Sequence, residues 1–171
     1  MERILLKMGD KRLLQKSESI DWDNERVSSI IQDMLDTMDA NGGVGIAAPQ
    51  IGELVRVTII GFEGQHPRYP EELPIPKTVM INPVIHWMSE EKHGMFEGCL
   101  SVPKLRGFVM RPNEIIYSYV DLQGTLHEKK VKGFHARIIQ HEVDHLDGIL
   151  FPMRVDDLKK FGFEDVLEQS S

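Results

Sequence analysis

The first clear pattern along the chain is that of an amphipathic helix near the N-terminus. Between Ile20 and Met38 the apolar residues recur at steps of three and four, namely Val27, Ile30, Ile31, Met34, Leu35 and Met38. This spacing predicts a helix with one apolar face, which we expect to pack in the core. Asp21 or Asp23 is expected to cap its start, and Asn41-Gly42-Gly43 to end it.

Short strands are predicted over the middle of the chain. The segment from Leu54 to Ile60 is rich in β-branched residues, which favour strands. Gly64 to Lys77 contains four prolines and little periodicity, so it predicts an irregular surface loop. Further extended segments are expected at 78–83, 84–95, 107–111, 115–121 and 125–131, the last two as a hairpin around Gly124.

A second helix is predicted from Phe134, where the apolar residues return to a helical period. Its apolar positions are Ile138, Ile139, Val143 and Leu146, and Asp147-Gly148 is expected to end it. A short terminal helix is expected between Asp156 and Glu168, with residues 169–171 frayed. These elements predict an α+β fold in which mostly antiparallel β-strands pack around the second helix, within a single domain of residues 1–171.

The composition limits the kinds of partner that the chain can have. Its formal net charge is −7, whereas non-specific nucleic-acid binding requires clustered Lys and Arg. No apolar stretch approaches the ~18 to 20 residues that span a bilayer. Charged residues also interrupt the opening MERILLKMGDKRLL too early for a signal peptide. We therefore expect a soluble, unexported protein with no membrane and no direct nucleic-acid partner.

The second helix carries the pattern His-Glu-x-x-His within QHEVDHLDG, residues 140–148. His141 and His145 are four positions apart, so their side chains lie on one helical face and can bind one metal ion. Glu142 lies one step round the helix, where it can reach a water molecule at the metal without binding the metal itself. The pattern also arises by chance, but its helical context favours a metal-binding helix.

A catalytic metal site of this kind has three protein ligands and an open position, so a third ligand is required. The only cysteine of the chain, Cys99 in the stretch EGCLS, is one candidate, although a lone cysteine can also be an apolar filler or a nucleophile. In zinc peptidases an acidic residue completes the site, and Glu164 or Asp165 stands about twenty positions beyond His145. Spacing alone leaves both alternatives open.

Three stretches together resemble the signature motifs of the peptide deformylase family: GVGIAAPQ at 43–50, EGCLS at 97–101 and QHEVDHLDG. The resemblance implies a metal-dependent hydrolase that removes the N-formyl group from the N-terminal formylmethionine of newly made polypeptides and releases formate. It implies that Cys99, His141 and His145 bind the metal. It also implies that metal-bound water attacks the formyl carbon, with Glu142 as general base and then acid.

The same resemblance assigns roles around the substrate. The side chain of Gln50 and the backbone N–H of Leu100 are expected to stabilise the developing oxyanion. Gly45 is expected to let the substrate backbone approach closely. The full set of residues expected to bind substrate is Val44, Gly45, Ile46, Arg106, Phe134 and Ile138. Of these, Ile46, Phe134 and Ile138 either line a pocket for the methionine side chain or belong to the core.

Several supporting residues have two interpretations from sequence. Glu97 and Arg111 are expected to form a buried ion pair that fixes the loop of Cys99, or Arg111 lies at the surface. Asp144 either hydrogen-bonds a ligand histidine or lies on a solvated helix face. His135 and Arg137 stand where the family often has aliphatic residues, which leaves the fine substrate preference open. The loop from Gly64 to Lys77 either borders the cleft or merely covers the surface.

The cofactor implied is one divalent metal ion per chain, Fe²⁺ in the cell, with Zn²⁺, Ni²⁺ or Co²⁺ also suited to one cysteine and two histidines. The implied partners are N-formylmethionyl nascent peptides, met through transient ribosome association in a bacterial cytoplasm or an organelle matrix. Two rival functions remain at this point. One is a zinc endopeptidase that uses Glu164 or Asp165, and the other is a binding domain or inactive relative that keeps a structural metal.

Overall fold

Eight strands and three α-helices are present in the computed structural model, which describes residues 1–169. The helices are α1 (Val27–Ala40), α2 (Gly133–Leu146) and α3 (Glu164–Gln169). The strands are β1 (Gly45–Ala47), β2 (Val57–Phe62), β3 (Ile75–Met88), β4 (Lys92–Cys99), β5 (Val102–Pro112), β6 (Glu114–Val120), β7 (Leu126–Lys132) and β8 (Phe161–Phe163). The predicted α+β class is confirmed. Ser170 and Ser171, for which fraying was expected, lie outside the described residues.

The strands form two antiparallel sheets, and α2 packs between elements of both. One sheet has the strand order β1-β2-β3-β6-β7, and the other has the order β4-β5-β8. The inner face of α2 packs against the larger sheet in a core cluster that includes Ile60, Met80, Tyr117, Ile139 and Val143. Helix α2 also contacts β5 of the smaller sheet. Consequently the helix that carries the two histidines is held on both sides.

The boundaries of α2 and of the β6–β7 hairpin agree with the sequence predictions. The hairpin turn is closed by Asp121, whose side chain accepts hydrogen bonds from the N–H groups of Gln123 and Thr125 at 2.9 Å. Helix α2 ends at Leu146, directly before Asp147-Gly148. Gly148 has a φ of 74°, a left-handed conformation that favours glycine and ends helices.

The start of α1 differs from the prediction, since neither Asp21 nor Asp23 caps it. The helix begins at Val27, without a side-chain cap on Arg26. Residues 22–26 form turns, and before them Asn82 accepts from the N–H of Ile20 at 3.1 Å and donates to the carbonyl of Ile20 at 2.9 Å. These long-range bonds compete with helix formation around Ile20.

Strand β3 is much longer than the short strand expected at 78–83, because it continues through Pro83 to Met88. Proline is tolerated in this inner strand because the register shifts between Ile81 and Val84, which marks a bulge. Strand β2 likewise runs from Val57 to Phe62 rather than from Leu54.

The expected terminal helix from Asp156 to Glu168 is replaced in its first part by a 3₁₀ helix, Leu158–Lys160, and a short strand. Strand β8 pairs with β5, with Gly162 opposite Arg106, before α3 begins at Glu164. Phe161 packs against the cluster of Cys99, Val109 and Phe151, and this packing stabilises the strand conformation. Within residues 1–169, no helix is long and apolar enough to cross a membrane.

Candidate active site

Three potential metal ligands converge where β4 ends beside α2. Cys99 is the last residue of β4, and the turn Leu100-Ser101 directs the chain back into β5. His141 and His145 project from α2, with ring centroids 5.1 Å apart. The donor atoms of these three residues all lie within 4.8 Å of one another. In the described part of the chain, no other group of three such residues lies this close together.

The distances and charges of this cluster fit one metal ion. Sγ of Cys99 lies 3.3 Å from Nε2 of His145. Bonds of about 2.3 Å to sulfur and about 2.0 Å to nitrogen place two such ligands about 3.5 Å apart in a tetrahedral site. Burial opposes a charge on His141, but hydrogen bonds to Cys99 and Glu97 outweigh it and raise the pKa of His141 well above its ordinary value. The surroundings of His141 therefore favour positive charge at this point, which a metal ion would supply once His141 has lost its proton.

His145 offers a neutral ring to the same cluster. Burial, and then the charges of His141 and Arg111, lower the pKa of His145 well below its ordinary value. A histidine must be unprotonated to bind a metal, so this shift favours a ligand. A Cys/His/His cluster of this kind is compatible with one metal ion.

Glu97 fixes the orientation of the His141 ring through a hydrogen bond with Nδ1. Its Oε1 lies 2.9 Å from Nδ1 of His141, so Nδ1 donates this hydrogen bond and Nε2 is left to face Cys99 and His145. Arg111 donates to both oxygens of Glu97, at 2.6 and 2.9 Å. Burial would raise the pKa of Glu97, but the bonds from His141 and Arg111 hold it well below its ordinary value. The buried Glu97–Arg111 pair expected from sequence is present.

Arg137 is a second buried arginine on Glu97. Its Nη1 donates to Oε2 of Glu97 at 2.6 Å and to the carbonyl of Val109 at 3.0 Å, while Nη2 donates to the carbonyl of His93 at 2.6 Å. In the sequence this position stands out only as a departure from aliphatic residues. A charged side chain is stable at this buried position because Glu97, which also pairs with Arg111, lies within hydrogen-bond distance.

Asp144 matches neither of its two interpretations from sequence. Its side chain is buried, and it accepts from Arg111 at 2.9 Å and from Arg154 at 2.8 Å. It thus holds Arg111 rather than a ligand histidine, and it does not lie on a solvated face. Glu97 makes the contact to a ligand histidine that one interpretation gave to Asp144.

Glu142 lies beside the cluster with its carboxylate against the backbone of Gly45. Burial raises the pKa of Glu142 to about 7. Its Oε2 is buried and makes no hydrogen bond within the residues that the structure describes. A methyl group in place of the Gly45 hydrogen would overlap with the Glu142 carboxylate, so only glycine leaves room for it. A carboxylate with a pKa near neutrality is suited to accept and return a proton.

Gln50 is fixed with its amide nitrogen towards the cluster. Its Oε1 accepts from the N–H of Ala47 at 2.8 Å, which orients the side chain. Its Nε2 lies 3.1 Å from Oγ of Ser101 and 3.6 Å from Sγ of Cys99. Leu100 lies in the turn between these two residues, and both Gln50 and Leu100 line the adjoining cavity.

A cavity, partly open to solvent, lies in front of the cluster. It is lined by Val44, Gly45, Phe134 and Ile138, which were among the expected substrate-binding residues, and by Cys99, His141 and Glu142. Its walls combine apolar side chains with a few polar groups, as is usual for a small-molecule or peptide site. The candidate chemical groups thus share one cavity with the apolar side chains of Val44, Phe134 and Ile138.

Two expected substrate-binding residues do not line this cavity. Ile46 is fully buried in the core cluster that contains Ile30 and Met34 of α1, because neighbouring residues of a strand point to opposite faces. Arg106 contacts a lining residue instead, since its guanidinium carbon lies 5.7 Å from the ring centre of Tyr69.

The proline-rich loop contributes residues that sequence reasoning missed. Tyr69 is buried and lines the cavity together with Arg68. Its ring packs on Phe134 with centroids 4.7 Å apart. In the sequence, the only sign that this loop lines the cavity is the aromatic residue Tyr69 among four prolines. The loop has no periodicity that would show which side chains face inward.

The alternative third ligand lies elsewhere. Glu164 begins α3, and its carboxylate is 3.6 Å from Nε of Arg106. Neither Glu164 nor Asp165 belongs to the cluster of Cys99 and the two histidines. The geometry therefore does not support the endopeptidase arrangement.

Comparison with known proteins gives a consistent result. The family model of polypeptide deformylases matches residues 2–161. Peptide deformylase 1 of Nitrosomonas europaea is 48% identical over 168 residues, which cover 98% of this chain and 95% of that protein. Peptide deformylase 2 of Ralstonia nicotianae is also 48% identical, with coverage of 98% and 94%.

Solved structures agree with the sequence comparison. A class I type b peptide deformylase from Acinetobacter baumannii with Met-Ala-Ser bound has a TM-score of 0.86 and 38% identity, covering 91% of this chain and 99% of that chain. Peptide deformylase from Thermotoga maritima has a TM-score of 0.79 and 30% identity, covering 92% and 99%. The chain therefore belongs to the polypeptide deformylase family, whose members are hydrolytic enzymes that remove the N-formyl group from newly made peptides.

Proposed function

We propose that this chain is a metal-dependent deformylase that acts on the N-terminal formylmethionine of newly made polypeptides and releases formate. One observation carries the proposal: the donor atoms of Cys99, His141 and His145 lie within 4.8 Å of one another, and Glu142 stands beside them at a cavity. Three ligands and one unattached carboxylate are the parts that hydrolysis at a metal requires.

Cys99, His141 and His145 are the proposed ligands of one divalent ion. When bound, such an ion supplies a Lewis acid that lowers the pKa of water towards neutrality. One thiolate and two imidazoles suit Fe²⁺, Zn²⁺, Ni²⁺ and Co²⁺, and we propose Fe²⁺ in the cell. Glu97 and Arg111 keep His141 in the orientation that this role needs.

Glu142 moves the proton. Its pKa of about 7 lets it accept a proton from the attacking water and later release it to the amine nitrogen that leaves. Its carboxylate is buried against Gly45, so it stays close to the reacting atoms without binding the metal. The products are formate and a peptide with a free N-terminus.

Gln50 and Leu100 stabilise the charge that develops on the formyl oxygen. The Gln50 amide nitrogen is pre-oriented by the bond between Oε1 and the N–H of Ala47, so little reorganisation is needed. The backbone N–H of Leu100 is the second proposed donor. Removal of one such donor lowers the rate by about 10² to 10³ in comparable sites.

The methionine side chain is proposed to bind among Val44, Phe134 and Ile138. These apolar residues line the cavity beside Glu142 and His141. The related Acinetobacter baumannii structure holds Met-Ala-Ser, a peptide that begins with methionine. We propose that the peptide substrate of this protein binds in the corresponding cavity. We also propose that the protein associates transiently with the ribosome, in a bacterial cytoplasm or an organelle matrix.

The test is formate release from formyl-Met-Ala-Ser by protein purified without oxygen, with its metal content measured. Acetyl-Met-Ala-Ser is the matched control, because it differs only at the acyl group. Formate from the first peptide and no acetate from the second is the expected result. Cleavage between internal residues, or no formate from metal-loaded protein, would contradict the proposal and support the peptidase or the structural-metal alternative.

A further inference from the structure

A second cavity continues from the first at the end of β4. Arg68, Gly98, Cys99 and Leu100 line both cavities. The second cavity is also lined by Lys104 and Glu164, which do not line the first. Because the cavities share one wall, a peptide whose first residue fills the first cavity has its next residues beside the second. This inference rests on the proposed function.

Arg68 stands at the junction of the two cavities and is held there by hydrogen bonds. Its Nη2 donates to the carbonyl of Gly42 at 2.9 Å. Its backbone N–H donates to Nδ1 of His66 at 3.2 Å, and Nε2 of His66 lies 3.2 Å from the same Gly42 carbonyl. A side chain held in this way loses little conformational entropy when it binds a ligand.

Among the side chains that the structure describes, those of residues 1–167, no carboxylate neutralises the charge of Arg68. Its only side-chain hydrogen bond within residues 1–167 is to a neutral carbonyl group, and no Asp or Glu side chain in that range lies within ion-pair distance. Arg106 differs, since its Nε lies 3.6 Å from Glu164. In a chain with a net charge of −7, Arg68 is a local cation at the exit of the cavity.

We propose that Arg68 makes this enzyme prefer peptides that carry Asp or Glu at the second or third position, where formylmethionine is the first. The guanidinium would pair with the side-chain carboxylate, a match that its planar donors favour. Arg68 is partly exposed, so the contact has the strength of a surface ion pair, about a 2- to 5-fold gain in kcat/KM. The gain should shrink as ionic strength rises.

The test compares C-terminally amidated formyl-Met peptides that differ only by Asp against Asn, at the second or at the third position. Wild-type protein is expected to turn over the Asp peptide about 2- to 5-fold better at one of these positions. In Arg68→Gln the ratio should fall to about 1, and Arg68→Glu should instead favour a Lys peptide over its Gln counterpart. Arg26→Gln is the control, since Arg26 is exposed and pairs with Glu53, and it should keep the wild-type ratio.

Each variant is compared with itself on two peptides, so the ratio does not depend on how much protein is folded. Equal kcat/KM for Asp and Asn peptides in the wild type, or a preference that survives in Arg68→Gln, would overturn the inference. Absence of formate from every peptide would refute the proposed function itself.

Discussion

Glu97 is the residue on which the largest number of buried charges depends. It pairs with Arg111, Arg137 and His141, all at 2.6 to 2.9 Å. Arg111 and Arg137 are almost fully buried, with side chains 5% and 8% exposed. Two guanidinium groups therefore lose their only shared acid if this carboxylate is neutralised.

Glu97→Gln is expected to lower the free energy of unfolding by about 3 to 5 kcal/mol, because the buried Arg137 loses its acid and Arg111 keeps only Asp144. Metal affinity should fall by about 10- to 100-fold, since His141 loses the acceptor that orients it. Denaturant unfolding and metal titration measure the two effects. Glu91→Gln is the control, because Glu91 is exposed. Unchanged stability and metal affinity in Glu97→Gln would contradict the role of Glu97.

Gly45→Ala should displace the Glu142 carboxylate, which occupies the space that the new methyl group needs. We expect kcat/KM for formyl-Met-Ala-Ser to fall by about 10²-fold, the effect of a shift of about 1 Å in a catalytic group. Gly162→Ala is the control, since the nearest atom to its added carbon is 3.8 Å away. Wild-type kinetics in Gly45→Ala would show that Glu142 does not need this position.

At the residue scale, the spacing of residues along the chain predicted which side chains share a helical face. The burial of charged side chains was harder to predict. The four-residue step between His141 and His145 places them on a common face in any α-helix, whatever the surrounding fold. Cys99 could be assigned only through the resemblance of its motif, because a long-range contact has no spacing rule. The partners of Asp144 and Arg137 were missed because a buried charge can be assigned only when its partner, here Arg111 or Glu97, is known to lie nearby.

At the scale of elements, the loop between β2 and β3 is held to the body of the protein by His66. The ring lies 3.2 Å from the carbonyl of Gly42 and 5.5 Å from the ring of Phe62, by centroids. Burial, and to a lesser extent the charge of Arg68, lower the pKa of His66 below its ordinary value, although the bond to Gly42 opposes this shift. The folded loop therefore favours the neutral ring.

The loop should loosen on acidification. A lowered folded-state pKa means that the stabilising effect of His66 is present above about pH 6.5 and is lost as the pH falls through the folded-state value. Amide hydrogen exchange of residues 63–72, corrected for the intrinsic effect of pH, should show less protection at about pH 5 than at about pH 7.5. His66→Asn should remove this difference, whereas substitution of the exposed His93 should keep it. Equal protection at both pH values in the wild type would contradict the prediction.

Elements with strong local signals were predicted well, and those fixed by distant contacts were not. Helix α2 and the β6–β7 hairpin follow their own periodicity and turn residues, so their ends were close to the prediction. The start of α1 depends on Asn82, which lies 62 positions from Ile20. Strand β8 depends on pairing with β5, which a pattern read along residues 156–168 does not reveal.

At the scale of the whole molecule, the proposed metal would link two parts of the fold. Cys99 belongs to the smaller sheet through β4, whereas His141 and His145 belong to α2, which packs on the larger sheet. A ligand that binds only the folded state stabilises it in proportion to the logarithm of its concentration over Kd. The bound ion should therefore hold the smaller sheet against the rest of the molecule.

Removal of the metal by a chelator should lower Tm, and restoring a divalent metal should raise it again. At a metal concentration of about 100 times Kd the expected gain is about 2.7 kcal/mol in the free energy of unfolding. Cys99→Ala should lose most of this metal-dependent gain, because it removes one of the three proposed ligands. A Tm that does not respond to chelation in metal-loaded wild type would contradict the link between the sheets.

The central claim is that Cys99, His141 and His145 hold the metal while Glu142 moves the proton. The most direct measurement is metal content per chain together with formate release for the wild type, Cys99→Ala and Glu142→Gln. The account predicts about one metal and turnover in the wild type, neither in Cys99→Ala, and bound metal without turnover in Glu142→Gln. Metal retained at the wild-type level by Cys99→Ala, or normal formate release by Glu142→Gln, would contradict it.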